Sequence, residues 1–237
     1  MPKPSVPTRV PTRGDQPHRP SPLIKAKSTA PVAPAGRAPR KRQSRQDLLP
    51  AARETIFNAA AQVVGELGYE RASIKRITQA AGIAEGTFYL YFESRQSLFD
   101  QLLPHFGSDM LAFVARRIAG ARDIFDMEER GFRAFFLFLK DNRWFFRVLT
   151  EAEVAAPRAY AEHFRLLADG YRRALLRGIE RGEIRDYDGE EIETVAYVLM
   201  AARHYLHLRY LRDAPPGADL PEKVVQTYLK LLRGGFR

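Results

Sequence analysis

Apolar residues recur three and four positions apart through most of the chain beyond residue 45, and nowhere alternate over a useful length. That period belongs to the α-helix, so the expected fold class is all-α. Ile56, Phe57, Ala60, Val63, Val64 and Leu67 make one stripe on a first helix from about Leu49 to Gly68. Ile74, Ile77 and Ala81 make a second on a short helix, Ile74 to Ala81. Ser73 stands where a hydroxyl can accept from an orphan backbone N–H at that helix's start. Gly82 stands where the helix must end with positive φ. Ile83 fills the turn, and another short helix runs from about Ala84 to Phe92. Ser94 caps a longer one, about Ser94 to Ile118, in which Pro104 marks a kink. Further helices are expected at Phe125–Lys140, Arg143–Thr150, Pro157–Gly182, Asp188–Arg212 and Pro221–Arg233. Breakers separate them, among them Asp141-Asn142, Gly182 through Gly189 and Ala214-Pro215-Pro216-Gly217.

Two short helices joined at a glycine and braced by a longer one form the layout of a helix-turn-helix, whose second helix enters the DNA major groove. That second helix carries Glu85, Gly86, Thr87, Phe88, Tyr89, Leu90 and Tyr91. The spacing Ser73-x-x-x-Ile77-x-x-x-Ala81-Gly82-Ile83-x-x-Gly86-Thr87-Phe88-Tyr89-x-Tyr91-Phe92-x-Ser94-Arg95-x-x-Leu98 resembles the N-terminal domain of the TetR family of transcriptional repressors. Ala59-Ala60 and the run Gly65 to Tyr69 fit that family's first helix and its exit. The resemblance covers residues 50 to 110. It implies a helix-turn-helix domain over 46–106 with its motif at 73–92 and a larger helical domain for effector binding and dimerisation over 107–237; residues 1–45 stand apart as a basic, Pro-rich arm.

Charge sharpens this picture. The chain has 237 residues, is 45% hydrophobic and carries a net charge of +10. The whole excess lies in residues 1–45, where eleven Lys and Arg face one acid, Asp15, and where ten of the sixteen prolines fall. Such a segment has no apolar periodicity to bury and is expected to be disordered. It carries no apolar core of a secretory signal, and its proline density rules out an amphipathic transit helix. Its cluster Arg40, Lys41 and Arg42 can lie on phosphates or enter a minor groove, or can simply solubilise the chain. The domain over 46–106 has five basic and seven acidic residues, so its attraction to DNA is expected to come from the arm.

Individual contacts follow. Lys75 and Arg76 suit phosphates, as do the Ser73 hydroxyl and the helix start beside it. Gly86 lets backbone approach DNA, Thr87 can meet a phosphate or a thymine methyl, and Tyr89 and Tyr91 present hydroxyls. Leu90 belongs to the same surface, while Phe88 and Phe92 read as core. Arg95 matches the family's phosphate-contacting base at that helix start. Ala84 and Glu85 depart from the family pattern, which favours Ser or Thr and then Lys or Arg; Glu85 suits a helix N-terminus or a cytosine amine.

The C-terminal half is rich in aromatics, expected as core and also as the wall of a pocket for a flat or long-chain apolar effector. Its candidate lining is Phe135, Trp144, Phe145, Arg147, Phe164, Tyr171, Met200 and His204, with Arg147, Arg203, His204 and Tyr205 able to answer an anionic head group. His204 and His207 share a helical face but lack a third ligand, so no metal or other cofactor is expected. The resemblance implies a homodimer built on the last two helices, for which Val195, Leu199, Ala202, Leu206, Val225, Tyr228 and Leu232 are candidates; the same residues also suit one-chain core. Cysteine is absent. No Gly-rich phosphate loop, metal spacing or nucleophile–base pattern suggests an enzyme. The expected partners are duplex DNA, a small acyl or aromatic effector and a second copy, with no membrane, in the cytoplasm. The expected role is a repressor whose effector favours a conformer that leaves the operator. The alternative is an effector-independent DNA-packaging protein that uses the arm.

Overall fold

The computed structural model describes residues 45–235. Their order is α1 (Arg45–Leu67), α2 (Ile74–Ala81), α3 (Glu85–Phe88), α4 (Arg95–Ile118), α5 (Ile124–Asp141), α6 (Phe145–Ala155), α7 (Pro157–Glu180), α8 (Ile192–Tyr210) and α9 (Glu222–Gly235). Among the described residues there is no strand. Arg40, Lys41, Arg42 and the rest of the expected arm lie outside them.

Local chemistry sets the boundaries as expected around α2. The Ser73 hydroxyl accepts from the Arg76 amide at 3.3 Å, and Gly82 ends the helix at φ 68°. Ser94 accepts from the Ser97 amide at 3.1 Å and starts α4. Helix α4 is one continuous element that includes Pro104. Helix α1 begins four residues before the expected Leu49 and includes Pro50.

Helix α3 is shorter than the periodicity implied. Its α-helical part ends at Phe88, and the chain tightens into i→i+3 turns, with Leu90 N–H donating to the Thr87 carbonyl at 3.2 Å and Tyr91 N–H to Phe88 at 3.0 Å. Tight last turns use fewer residues per hydrogen bond and leave room for the extended Ser94 that must cap α4. Ala84 supplies no side-chain cap at the other end.

The core is continuous from the first helix to the last. Ile56, Phe57, Ile77, Phe88, Phe92, Leu98 and Leu102 are sealed between α1, α2, α3 and α4. Helix α4 then packs on α5, α6 and α7, and α6 packs back on α1. The described helices therefore belong to one compact unit.

Candidate nucleic-acid interface

The exposed surface of α3 depends on what its other side buries. Phe88 and Phe92 are fully enclosed, their rings 5.5 Å apart, and Phe57 of α1 meets Phe92 edge-on at 5.3 Å. Anchored that way, the turn leaves Glu85, Gly86, Tyr89 and Leu90 exposed, Tyr89 at 56% and Leu90 at 76%. Leaving a leucine in water forfeits about 1.5–3 kcal/mol of burial, so its position calls for a partner surface. Nothing lies within 4 Å of where a Cβ on Gly86 would be, so the backbone there is open to an approaching molecule. Thr87 is half-buried, and Tyr91 is half-buried and packed against the core.

The basic residues are placed less uniformly. Lys75 and Arg76 are both exposed on the first turn of α2. The Arg76 guanidinium also donates to the Arg71 carbonyl at 2.7 Å, which orients it. Arg95 is exposed, donates to the Glu70 carbonyl at 3.3 Å and lies over the Phe99 ring at 5.5 Å. Ser73 spends its hydroxyl on the cap and is half-buried. The ten expected groups from Ser73 to Arg95 thus lie along α2, α3 and the start of α4.

Residues 56–102 match the model of bacterial regulatory proteins of the tetR family. This stretch, from α1 into α4, is what the chain shares with that family. It is 39% identical over 70 residues to the HTH-type transcriptional regulator YvdT of Bacillus subtilis (strain 168), a stretch covering 30% of this chain and 36% of that relative. The chain thus spans little more than a third of the relative's length. Its fold matches the fatty acid degradation regulator FadR from Bacillus halodurans with a TM-score of 0.66 at 22% identity, over 78% of this chain and 96% of that one. It also matches the transcriptional regulator FadR from Bacillus subtilis, solved in complex with stearoyl-CoA, with a TM-score of 0.65 at 21% identity, over 78% and 99%. At such identities the likeness shows the fold alone.

In the helical half the expected pocket residues do not form one wall. Phe135 and Phe145 are buried in the core. Trp144 meets Phe106 of α4 at 4.5 Å. Arg147 pairs with Glu151 at 2.6 Å and donates to the Glu66 carbonyl at 3.0 Å, so it braces the end of α1. Tyr69 extends that brace, its amide donating to Glu151 at 2.9 Å. Phe164 packs beside Tyr160 at 4.5 Å, and His204 tilts against Phe146 at 5.2 Å. Met200 is buried.

Tyr171 belongs to a polar cluster that sequence reasoning missed. Arg203 donates to Glu128 at 2.7 Å and to the Leu199 carbonyl at 3.0 Å, and the Tyr228 hydroxyl donates to the same Glu128 oxygen. Phe132 stacks on Tyr228 at 4.2 Å, and the guanidinium lies 5.3 Å from the Phe132 ring and 5.4 Å from Tyr171. Burial disfavours the Arg203 charge, but Glu128 more than offsets it and holds the pKa above the usual guanidinium value. Burial likewise pushes both tyrosines up. The signal was present: Glu128 sits on the same α5 stripe as Ile124 and Phe132, where an unpaired carboxylate is costly. Arg203, expected to meet an effector, is already paired.

The dimer candidates need a correction of face. Val195, Leu199, Val225, Tyr228 and Leu232 are buried in the chain's own core, and Ala202 and Leu206 pack partly against it. The exposed large apolar residues of these helices are Tyr197, Val198, Tyr205 and Tyr210 on α8 and Leu231 on α9. Among the described residues no group of three or more His, Asp or Glu could hold a metal, and no helix is long and apolar enough to cross a membrane.

Proposed function

We propose that this chain is a sequence-specific DNA-binding transcriptional regulator, a repressor that leaves its operator when a small effector binds the helical half. The observation that carries the reading is the α3 surface: Gly86, Tyr89 and Leu90 stand outward because Phe88 and Phe92 are locked inward. A homodimer presents two such surfaces one DNA turn apart, about 34–36 Å centre to centre. Tyr197, Val198 and Tyr205 supply the apolar face for that pairing. The protein acts in the cytoplasm, on the nucleoid, and residues 1–45 add sequence-independent attraction to phosphates.

An acyl thioester is the effector class supported best, since FadR of Bacillus subtilis was solved with stearoyl-CoA and shares this fold. The brace of Arg147, Glu151 and Tyr69 between α6 and the end of α1 offers a route by which occupancy of that half moves the reading surface.

The test is selection of bound duplexes from a random pool by the full chain, footprinting of the winner, and titration with stearoyl-CoA. A discrete near-palindromic footprint lost on titration supports the reading. Uniform retardation with no footprint, insensitive to the thioester, supports the packaging alternative instead.

A further inference from the structure

At the C-terminal ends of α5 and α8, roofed by the loop after α8, lies a concavity whose charged lining is basic only: Lys140, Arg143 and Arg212. Its floor includes His207, Leu139 and Leu211. Lys140 reaches outward to Asp219 at 2.9 Å, and Arg212 meets Asp213 at 3.2 Å. Arg143 donates to the Ala214 carbonyl at 3.1 Å and, among the described residues, pairs with no carboxylate. The His207 ring stacks on Phe146 with centroids 3.7 Å apart, and its Nδ1 is buried without a hydrogen-bond partner among the described residues. A buried ring nitrogen without a partner is uncommon in a folded chain. Burial, His204, and the positive field of Arg143 and Arg212 together push His207 down to about 4, so its imidazole is neutral near pH 7.

We propose that this concavity binds the phosphate group of a small molecule, with Arg143 and Arg212 as charged donors and the His207 ring in its lining. Two guanidiniums, Arg143 just after α5 and Arg212 just after α8, suit a phosphate, a tetrahedral anion that offers an oxygen to each. Leu139, Leu211 and Pro215 in the lining give an apolar surface for whatever the phosphate is attached to. That this phosphate belongs to the effector rests on the function proposed above; the anion site itself does not.

The experiment follows the His207 ring resonances of the full chain at fixed ionic strength, assigned by comparison with His207→Gln, while inorganic phosphate, coenzyme A or stearate is added. Saturable shifts are expected with the phosphate-bearing probes, and about tenfold weaker binding in Arg143→Gln and in Arg212→Gln, one charge-assisted bond lost in each. Both variants alter exposed side chains, and circular dichroism checks their fold. Equal shifts with phosphate and coenzyme A identify a site for the free anion; shifts with coenzyme A alone identify a phosphate ester with its body. Stearate as the only binder, no saturable shift, or unchanged affinity in both variants overturns the proposal. Coenzyme A that binds but leaves DNA affinity unaltered, alone and when acylated, keeps the anion site and removes its assignment to the effector.

Discussion

Gly65 of α1 lies directly against Trp144 at the start of α6: a methyl group at Gly65 would collide with the tryptophan Cβ and stand 2.8 Å from its Cα. This contact lets α1 approach α6 closely enough for Arg147 to reach the Gly65 and Glu66 carbonyls at 3.4 and 3.0 Å. Gly65→Ala is therefore expected to destabilise the chain by about 1–3 kcal/mol, the usual cost of overpacking against backbone. Thermal unfolding checks it. Gly86→Ala, with nothing within 4 Å, is the control and is expected to unfold no earlier than wild type.

The Glu128–Arg203 pair makes a second expectation. Arg203→Met leaves a buried carboxylate with only tyrosine hydroxyls, Tyr228 and Tyr171, and no counter-charge, and is expected to cost about 3–5 kcal/mol. Adding Glu128→Leu removes the stranded charge, so the double variant is expected to be more stable than Arg203→Met alone. Urea unfolding of the two variants measures the difference.

These two sites also mark what was legible in the residues. The α2 boundaries were readable because Ser73 and Gly82 act locally, through one hydroxyl and one backbone conformation. Family spacing placed Phe88 inward and Tyr89 outward. Periodicity told which residues of α8 and α9 share a face, but not which face meets the chain's own α5; Tyr228 stacks on Phe132 of α5, and Tyr205 points away into solvent. The aromatic pocket was over-read for a related reason. Phe132, Phe135, Phe136, Phe138 and Phe145 satisfy one another in edge-on pairs, and spacing alone does not say whether such rings close on each other or leave room between them. Lys140 and Arg143 lie far from Arg212 in sequence and share a site with it only through the fold.

Acid should weaken the fold through His163. Its ring packs on Gly107 of α4, where an added Cβ would stand 2.5 Å from Nδ1, and burial pushes its pKa down to about 4. The unfolded imidazole takes up its proton near its ordinary value of about 6.5, and the folded one does not until about 4. Between those values the unfolded chain holds more protons, so stability is full above the higher one and falls as pH drops towards the lower. From about pH 7 to about pH 5 the loss from His163 is about 2 kcal/mol. His163→Gln should reduce the slope of urea-unfolding stability against pH in that window by roughly half, His207 supplying a comparable remainder.

The apolar face of α8 gives a fourth expectation. Val198 and Tyr205 are 61% and 69% exposed, so Val198→Glu and Tyr205→Glu should leave the fold intact. Each buries a carboxylate if the face pairs with a second copy. Sedimentation equilibrium is expected to show a dimer for wild type and a monomer for either variant, with a parallel loss of operator affinity.

The central claim is that α3 reads duplex DNA with Thr87, Tyr89 and the open backbone at Gly86. Footprinting on the selected operator, wild type beside the Thr87→Ala/Tyr89→Ala double variant, tests it most directly. At about 1–3 kcal/mol for each lost contact, the double variant should bind its site at least about 30-fold more weakly while its non-specific retention stays near wild type. An unchanged footprint at the wild-type concentration would contradict the account.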